Sequence, residues 1–338
     1  MTRAITCCLL TLGLLGGCAH VPPAADVAIP SIGQPIGQTG FFTLVQASEA
    51  ITLREMTRRL LGEEDLAELV ARANALPVDT IVASGQIIAL PRKPIHSSGI
   101  SPHGIQTVQI LCYHRFSLRA SSEPMTVSAA DFEAQMAYLV NNGYRVIRLA
   151  ELAGFMEGGT LFPERLVVIT IDDGFASVAE VAAPILAKYG LPATLFVYPE
   201  FIGGGLALSW DALKALADSG LFDVQSHSTS HTSHARRPQE SDEAYRQRLD
   251  REIDTASRSL AGHLGRAPSV YAYPYGDTST DTIHALQARQ YRFGVTVRRG
   301  GTAAFSHPFT LRRTMIYGHD SLAQFARKLV TRQPLPRG

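Results

Sequence analysis

The chain has 338 residues, 46% of them hydrophobic and 18% charged, with a formal net charge of +1. That length exceeds one typical core and fits a barrel with a small additional module. A near-neutral balance, with no basic stretch interleaved with aromatics, excludes nucleic acid as the expected partner and gives no indication of an acidic polymer.

The chain opens with Arg3, an apolar stretch through Leu15, and then Leu15-Gly16-Gly17-Cys18. A charged start, a short apolar run and small residues before a Cys resemble a bacterial lipoprotein signal. The run is shorter than the ~20 residues needed to span a bilayer. The resemblance implies removal of residues 1–17 and a membrane partner reached through lipid on Cys18. Ala19 is not the Asp that commonly retains lipoproteins at the inner membrane. The expected location is therefore that of an exported lipoprotein on the periplasmic face of the outer membrane. Cys7 and Cys8 would leave with the signal, and Cys112 would remain in a core strand, so no disulfide is expected in the mature chain.

Residues 18–40, rich in Pro, Gly, Ala and Gln, read as a tether. Residues 41–92 have their own order: a strand over 42–45, helices over 53–61 and 65–74, and a strand over 86–90. This β-α-α-β order, with Asn74-Ala75-Leu76 and the run from Gly85 to Pro91, resembles a LysM module, although the usual first-loop Gly-Asp-Thr-Leu is replaced by the run from Glu49 to Leu53. The resemblance implies peptidoglycan as a partner for residues 41–92, against a purely structural spacer. Residues 93–105, with Pro, Ser and Gly throughout, read as a second linker.

From residue 106 onward, strand-like runs at 107–113, 144–148, 166–171, 193–198, 222–226, 269–273, 293–297 and 311–316 alternate with helical ones. The helical runs include 130–142, 177–189 and 243–264, and Gly143 and Gly190 are stops after the first two. Alternation of this kind predicts the α/β class: a distorted (β/α) barrel of seven or eight strands, with its site at the strands' carboxyl face. Trp210, with Asp211 beside it, is open to two readings, a platform for a sugar ring or a helix-start anchor.

Two runs end in ligand chemistry. One stops at Asp172-Asp173-Gly174 and the other at His227, four residues before His231. Strand ends converge in a barrel, so an Asp and two imidazoles can meet at one divalent ion, with coordination positions left open as in hydrolytic zinc sites. Successive side chains alternate along a strand, so adjacent carboxylates serve one site only if the chain turns, as Gly174 permits.

The segments Thr170 to Gly174, His227 to His231 and Tyr273-Pro274-Tyr275-Gly276 resemble the first three motifs of the polysaccharide deacetylases, the NodB-like carbohydrate esterases, over roughly residues 106–330. The resemblance implies Asp172 as general base, Asp173, His227 and His231 as ligands of a divalent metal read as zinc, and Tyr275 as the oxyanion-hole residue through its backbone N–H. Two departures stand out. Ala272 occupies the place of the Arg that usually tethers the catalytic Asp, which leaves Arg266 and Arg313 as candidates. The usual closing Leu-x-His is not evident, and only His319 offers a His there.

The run from Val108 to Phe116, with Tyr113-His114 at its strand end, resembles the first strand of exported poly-N-acetylglucosamine deacetylases, whose barrel is circularly permuted. That resemblance favours His114 over His319 as general acid; His319 reads as part of a helix-capping loop. His234 reads as a loop residue rather than a ligand. The implied reaction is hydrolytic N-deacetylation of an N-acetylglucosamine-containing exopolysaccharide. Peptidoglycan is an alternative substrate, and a non-catalytic cell-wall-binding lipoprotein is the contrasting reading.

Overall fold

The computed structural model describes residues 32–39, 42–62, 64–91, 99–101, 104–157, 162–163 and 165–333. The signal, Cys18 and most of both linker segments lie outside the described residues. Two compact units divide the chain, Met1–Arg92 and Lys93–Gly338.

In the larger unit, eight strands form around one core: β1 Gly104–Tyr113, β2 Arg145–Ile147, β3 Leu166–Ile171, β4 Ala193–Val197, β5 Phe222–Ser226, β6 Val270–Ala272, β7 Phe293–Val295 and β8 Thr314–Met315. β1 pairs in parallel with β3, from Gln109↔Val167 to Tyr113↔Ile171. The other edge of β3 is shared, with β2 on its first half and β4 on its last two residues. Parallel pairing then continues through β5, β6 and β7. A bridge, Val295↔Leu311, joins β7 to the segment leading into β8, and β8 pairs with Leu111 and Cys112 of β1. The curled sheet thus closes into the distorted barrel that the alternation predicts. It is mixed rather than purely parallel, because Ile100–Ser101, Thr302–Ala303 and Arg332–Gln333 all run antiparallel to β1.

Strand alternation sorts the core into two layers. Leu111, Tyr113, Val167, Ile169, Ile171, Leu195, Val197 and Val224 face outward and pack with helix residues such as Phe132, Met136 and Leu186. Val108, Ile110, Leu166, Val168, Phe196, Val270, Ala272, Val295 and Leu311 fill the interior. Strands buried on both faces read as continuous apolar runs, which is why β3 and β4 were visible in the sequence. The helix expected over 177–189 begins as a π-helix, Val178–Ala182, before Ala183–Tyr189. Pro184 lacks the N–H of a regular turn there.

The smaller unit has a three-stranded antiparallel sheet of Gly33–Gln38, Phe42–Ala47 and Ile87–Pro91, with helices Leu53–Leu61 and Ala67–Ala73. Val45, Leu53, Met56, Val70 and Ile88 form its core. Thr52 caps the first helix by accepting from the Glu55 N–H, so the altered first loop still starts a helix. The Asn74 side chain bonds both the N–H and the C=O of Ala89, fastening the second helix to the last strand. Strand Gly33–Gln38 falls within the segment read as a tether, and Ile100–Ser101 within the one read as a linker.

Candidate active site

The barrel's alternation decides which side chains can meet. Residues 166 and 168 of β3 point inward, and so does Asp172 one step beyond the strand; on β1 the same parity turns Cys112 and His114 inward, and after β5 it does so for His227. Asp172 and His227 are both buried. Asp173 has the opposite parity, and the backbone corrects this with φ of 76° at Asp173 and 93° at Gly174. A Cβ on Gly174 would lie 2.8 Å from Ile202 and 2.9 Å from Val197, so glycine is required on both counts. The turn therefore begins one residue earlier than the sequence suggests and brings both carboxylates to the same side.

Among the described residues, eight non-glycine residues have positive φ, and four of them, Asp173, Ser228, His231 and Tyr275, belong to this site. Each such conformation costs about 1–3 kcal/mol and persists where surrounding contacts enforce it. Tyr275 lies in the turn after β6, with φ of 57° and its ring 4.7 Å from that of His231.

Arg313 supplies the tether for Asp172. Its guanidinium meets the carboxylate with both nitrogens, Nη1 to Oδ1 at 2.7 Å and Nη2 to Oδ2 at 2.8 Å, and also donates to the Thr296 carbonyl and the Thr170 hydroxyl. The side chain is fully buried. Arg266 instead pairs with Asp223 and is largely exposed. Ala272, where the family motif has its Arg, contributes only a carbonyl, which accepts from Nδ1 of His227 at 2.8 Å.

Burial raises the pKa of Asp172, but Arg313, then His227 and His114, outweigh it and hold the carboxyl far below the usual range. Burial first, then the neighbouring Asp172 charge, pushes Asp173 up to about 7. Burial lowers His227 to about 3 and also lowers His231 and His114. With Arg313 committed to Asp172, Asp173 beside two uncharged imidazoles forms a donor set without a positive charge of its own.

Asp173, His227 and His231 each offer a ligand atom, all within 4.8 Å of one another, with Asp173 Oδ1 3.8 Å from His227 Nε2 and 3.6 Å from His231 Nε2. A carbonyl can only accept, so His227 Nδ1 carries its proton and Nε2 presents its lone pair toward Asp173, the arrangement found around ligating histidines. This geometry fits a divalent cation. Cys112, His114 and Asp172 form a second such group, but there the Arg313 guanidinium already fills the cationic place.

In the metal-free chain, two of these groups drive pH dependence in opposite directions. Between about 3 and 6.5, His227 is protonated only when unfolded, so stability rises with pH. Between 3.8 and about 7, Asp173 is protonated only when folded, so stability falls with pH. His114, His231 and His234, all lowered by burial, add to the rise. Chelated protein is therefore expected to gain stability with pH on balance, less steeply than the histidines alone would give, and added divalent cation should steepen the rise by removing the Asp173 contribution. Denaturant melts with and without chelator check this; a cation-independent profile would contradict it.

His114 stands in the Cys112–Asp172 group, with Nδ1 buried and without a hydrogen-bond partner. His319 is exposed, its ring parallel to Tyr317 at 5.3 Å, beside Asp320, which accepts from the Tyr317 N–H, and Ser321, which caps helix Leu322–Lys328. His234 is in a loop, as expected, yet fully buried, bonding the Tyr271 hydroxyl at 2.6 Å. Trp210 starts helix Trp210–Asp218 and stacks on His263 at 3.8 Å. Tyr198, which the motifs do not include, places its ring 5.1 Å from His231; its position immediately after β4 was the available signal.

Residues 161–294 match the family model described as polysaccharide deacetylase. The poly-beta-1,6-N-acetyl-D-glucosamine N-deacetylase of Escherichia coli is 26% identical over 246 residues, covering 62% of this chain and 36% of that protein. The protein of the same name from Staphylococcus aureus is 24% identical over 207 residues, covering 60% and 71%. The solved structure of IcaB from Ammonifex degensii aligns with a TM-score of 0.59 at 28% identity, covering 66% of this chain and 97% of that one. This chain therefore spans little more than a third of its Escherichia coli relative. With the family model on residues 161–294 and the barrel and its strand-end site in place, the larger unit is similar in sequence and fold to the polysaccharide deacetylases, hydrolases that act on amide bonds.

Proposed function

We propose that the larger unit removes acetyl groups from N-acetylglucosamine units of a poly-β-1,6-N-acetylglucosamine-like exopolysaccharide, with a zinc-class cation held by Asp173, His227 and His231. The observation that carries this reading is the buried Arg313–Asp172 pair set against that ligand triad. When bound, the cation polarises the acetamide carbonyl and acidifies water. Asp172, kept ionised by Arg313, accepts the proton of the attacking water. The Tyr275 N–H receives the developing oxyanion. His114 passes a proton to the departing amine, giving acetate and a glucosamine unit left in the polymer. Relatives named for poly-beta-1,6-N-acetyl-D-glucosamine support this substrate.

Peptidoglycan is the second reading, favoured by the order of elements in the smaller unit, which resembles a LysM module. Acetate release from β-1,6-linked N-acetylglucosamine oligomers, compared with peptidoglycan glycan strands, separates the two. Faster release from the β-1,6 oligomers is expected, and release from peptidoglycan alone would reverse the assignment.

The same reading makes Cys18 the lipid attachment point, on the periplasmic face of the outer membrane. Cys18→Ser is expected to release the protein from membranes or leave its signal uncleaved. A processed Cys18→Ser form still in the membrane fraction would refute lipid anchoring.

A further inference from the structure

The loop between the two ligand histidines is strained at Ser228, with φ of 69°, and at His231, with φ of 56°. Its internal support is one bond, from the His231 N–H to the Ser228 hydroxyl at 2.9 Å. Outside the loop, the Glu200 N–H donates to the Thr229 carbonyl at 3.2 Å, and the other bonds gather on Glu252, on helix Asp242–Leu264. Glu252 Oε2 accepts the N–H of Thr229 at 3.1 Å and that of Ser230 at 3.0 Å, while Oε1 accepts the Ser230 hydroxyl at 2.7 Å. The Glu252 backbone carbonyl takes the Thr229 hydroxyl at 2.8 Å. One residue of a long helix thus bonds both sides of the loop's midpoint, and Thr229 is buried, so water is poorly placed to substitute.

Glu252 is not one of the acidic and histidine groups whose ligand atoms gather near Asp173, so it acts through the backbone rather than on a cation. We infer that Glu252 is a positioning residue that sets the spacing and aim of His227 and His231 for the cation. The inference rests on the reading of those histidines as ligands. A carboxylate receiving two successive N–H groups and a hydroxyl fixes the midpoint of the loop against a rigid helix. The two imidazoles at its ends are thereby held with their Nε2 atoms 3.8 and 3.6 Å from Asp173 Oδ1. Groups outside the ligand set that orient metal-binding histidines typically change metal affinity about 10–100-fold when removed.

The test is a Zn²⁺ titration of the full chain against a competing chromophoric chelator, with melting temperatures measured in chelator alone. Glu252→Ala is expected to bind Zn²⁺ about 10–100-fold more weakly, a loss larger than any change in metal-free melting accounts for. Glu252→Gln, whose amide oxygen can still accept both N–H groups, should recover most of the affinity. Wild-type affinity in Glu252→Ala overturns the inference, as does a loss in Glu252→Gln as large as in Glu252→Ala. Should Glu252→Ala not fold, Glu252→Asp, one methylene short of the loop, decides by the same titration. A wild-type chain that binds no Zn²⁺ refutes the ligand reading itself, an outcome distinct from failure at Glu252 alone.

Discussion

Asp172→Asn is expected to retain the cation and lose turnover by about 10²- to 10⁴-fold, the range associated with a positioned proton acceptor. The amide cannot take the proton of the attacking water, whereas Asp173 and both histidines remain as they were. The substitution also leaves the buried Arg313 guanidinium facing a neutral, partly donor-bearing group. Breaking a buried pair by removing one partner costs about 3–5 kcal/mol, so a lower melting temperature should accompany the lost activity. Asp173→Asn should behave differently, weakening cation binding and turnover together. Near wild-type acetate release by Asp172→Asn would move the base elsewhere.

The second large effect concerns the acid. His114→Ala is expected to lower turnover by about 10²- to 10⁴-fold with metal content unchanged. His319→Ala should have a much smaller effect. His114 sits at the end of β1 on the inward parity, in a cluster with Asp172, while His319 is exposed and stacked on Tyr317. A large loss at His319 and a small one at His114 would restore the unpermuted family arrangement and reduce His114 to packing at the barrel end.

Much of this architecture was legible because local physics and the fold agree. All eight strand-like runs of the larger unit correspond to β1–β8: those buried on both faces, such as β3 and β4, stand out as apolar runs, and the alternation of β and α places the others. The proximity of Asp173, His227 and His231 was expected from two strand ends carrying ligand-type residues, although His231 reaches it from the loop beyond. Arg313 could be named only as one of two candidates, because its partner is 141 residues away. What selects it is the closing strand: Leu311 faces the interior, and two residues on, Arg313 must do so as well. Arg266 lacks that constraint.

The misses have similar causes. Gly33–Gln38 was hidden by Gly33, Pro35 and Gly37, which lower strand propensity, but it is an edge strand paired with Phe42–Ala47 through an irregularity at Pro35/Gly37, where such residues are tolerated. The left-handed turn at Asp173 could not be read because the sequence placed all the permissive chemistry on Gly174. Glu252 carries no motif, and its role exists only once a distant helix lies against the loop.

The most direct measurement is the metal content and acetate release of one preparation, taken through chelation and back-addition of Zn²⁺ and compared with His231→Ala. One divalent ion per chain is expected, with activity lost on chelation and regained on back-addition, and His231→Ala should lose most of the metal and the activity together. Equal metal content in the wild type and His231→Ala, or full acetate release after chelation, would contradict a cation held by Asp173, His227 and His231.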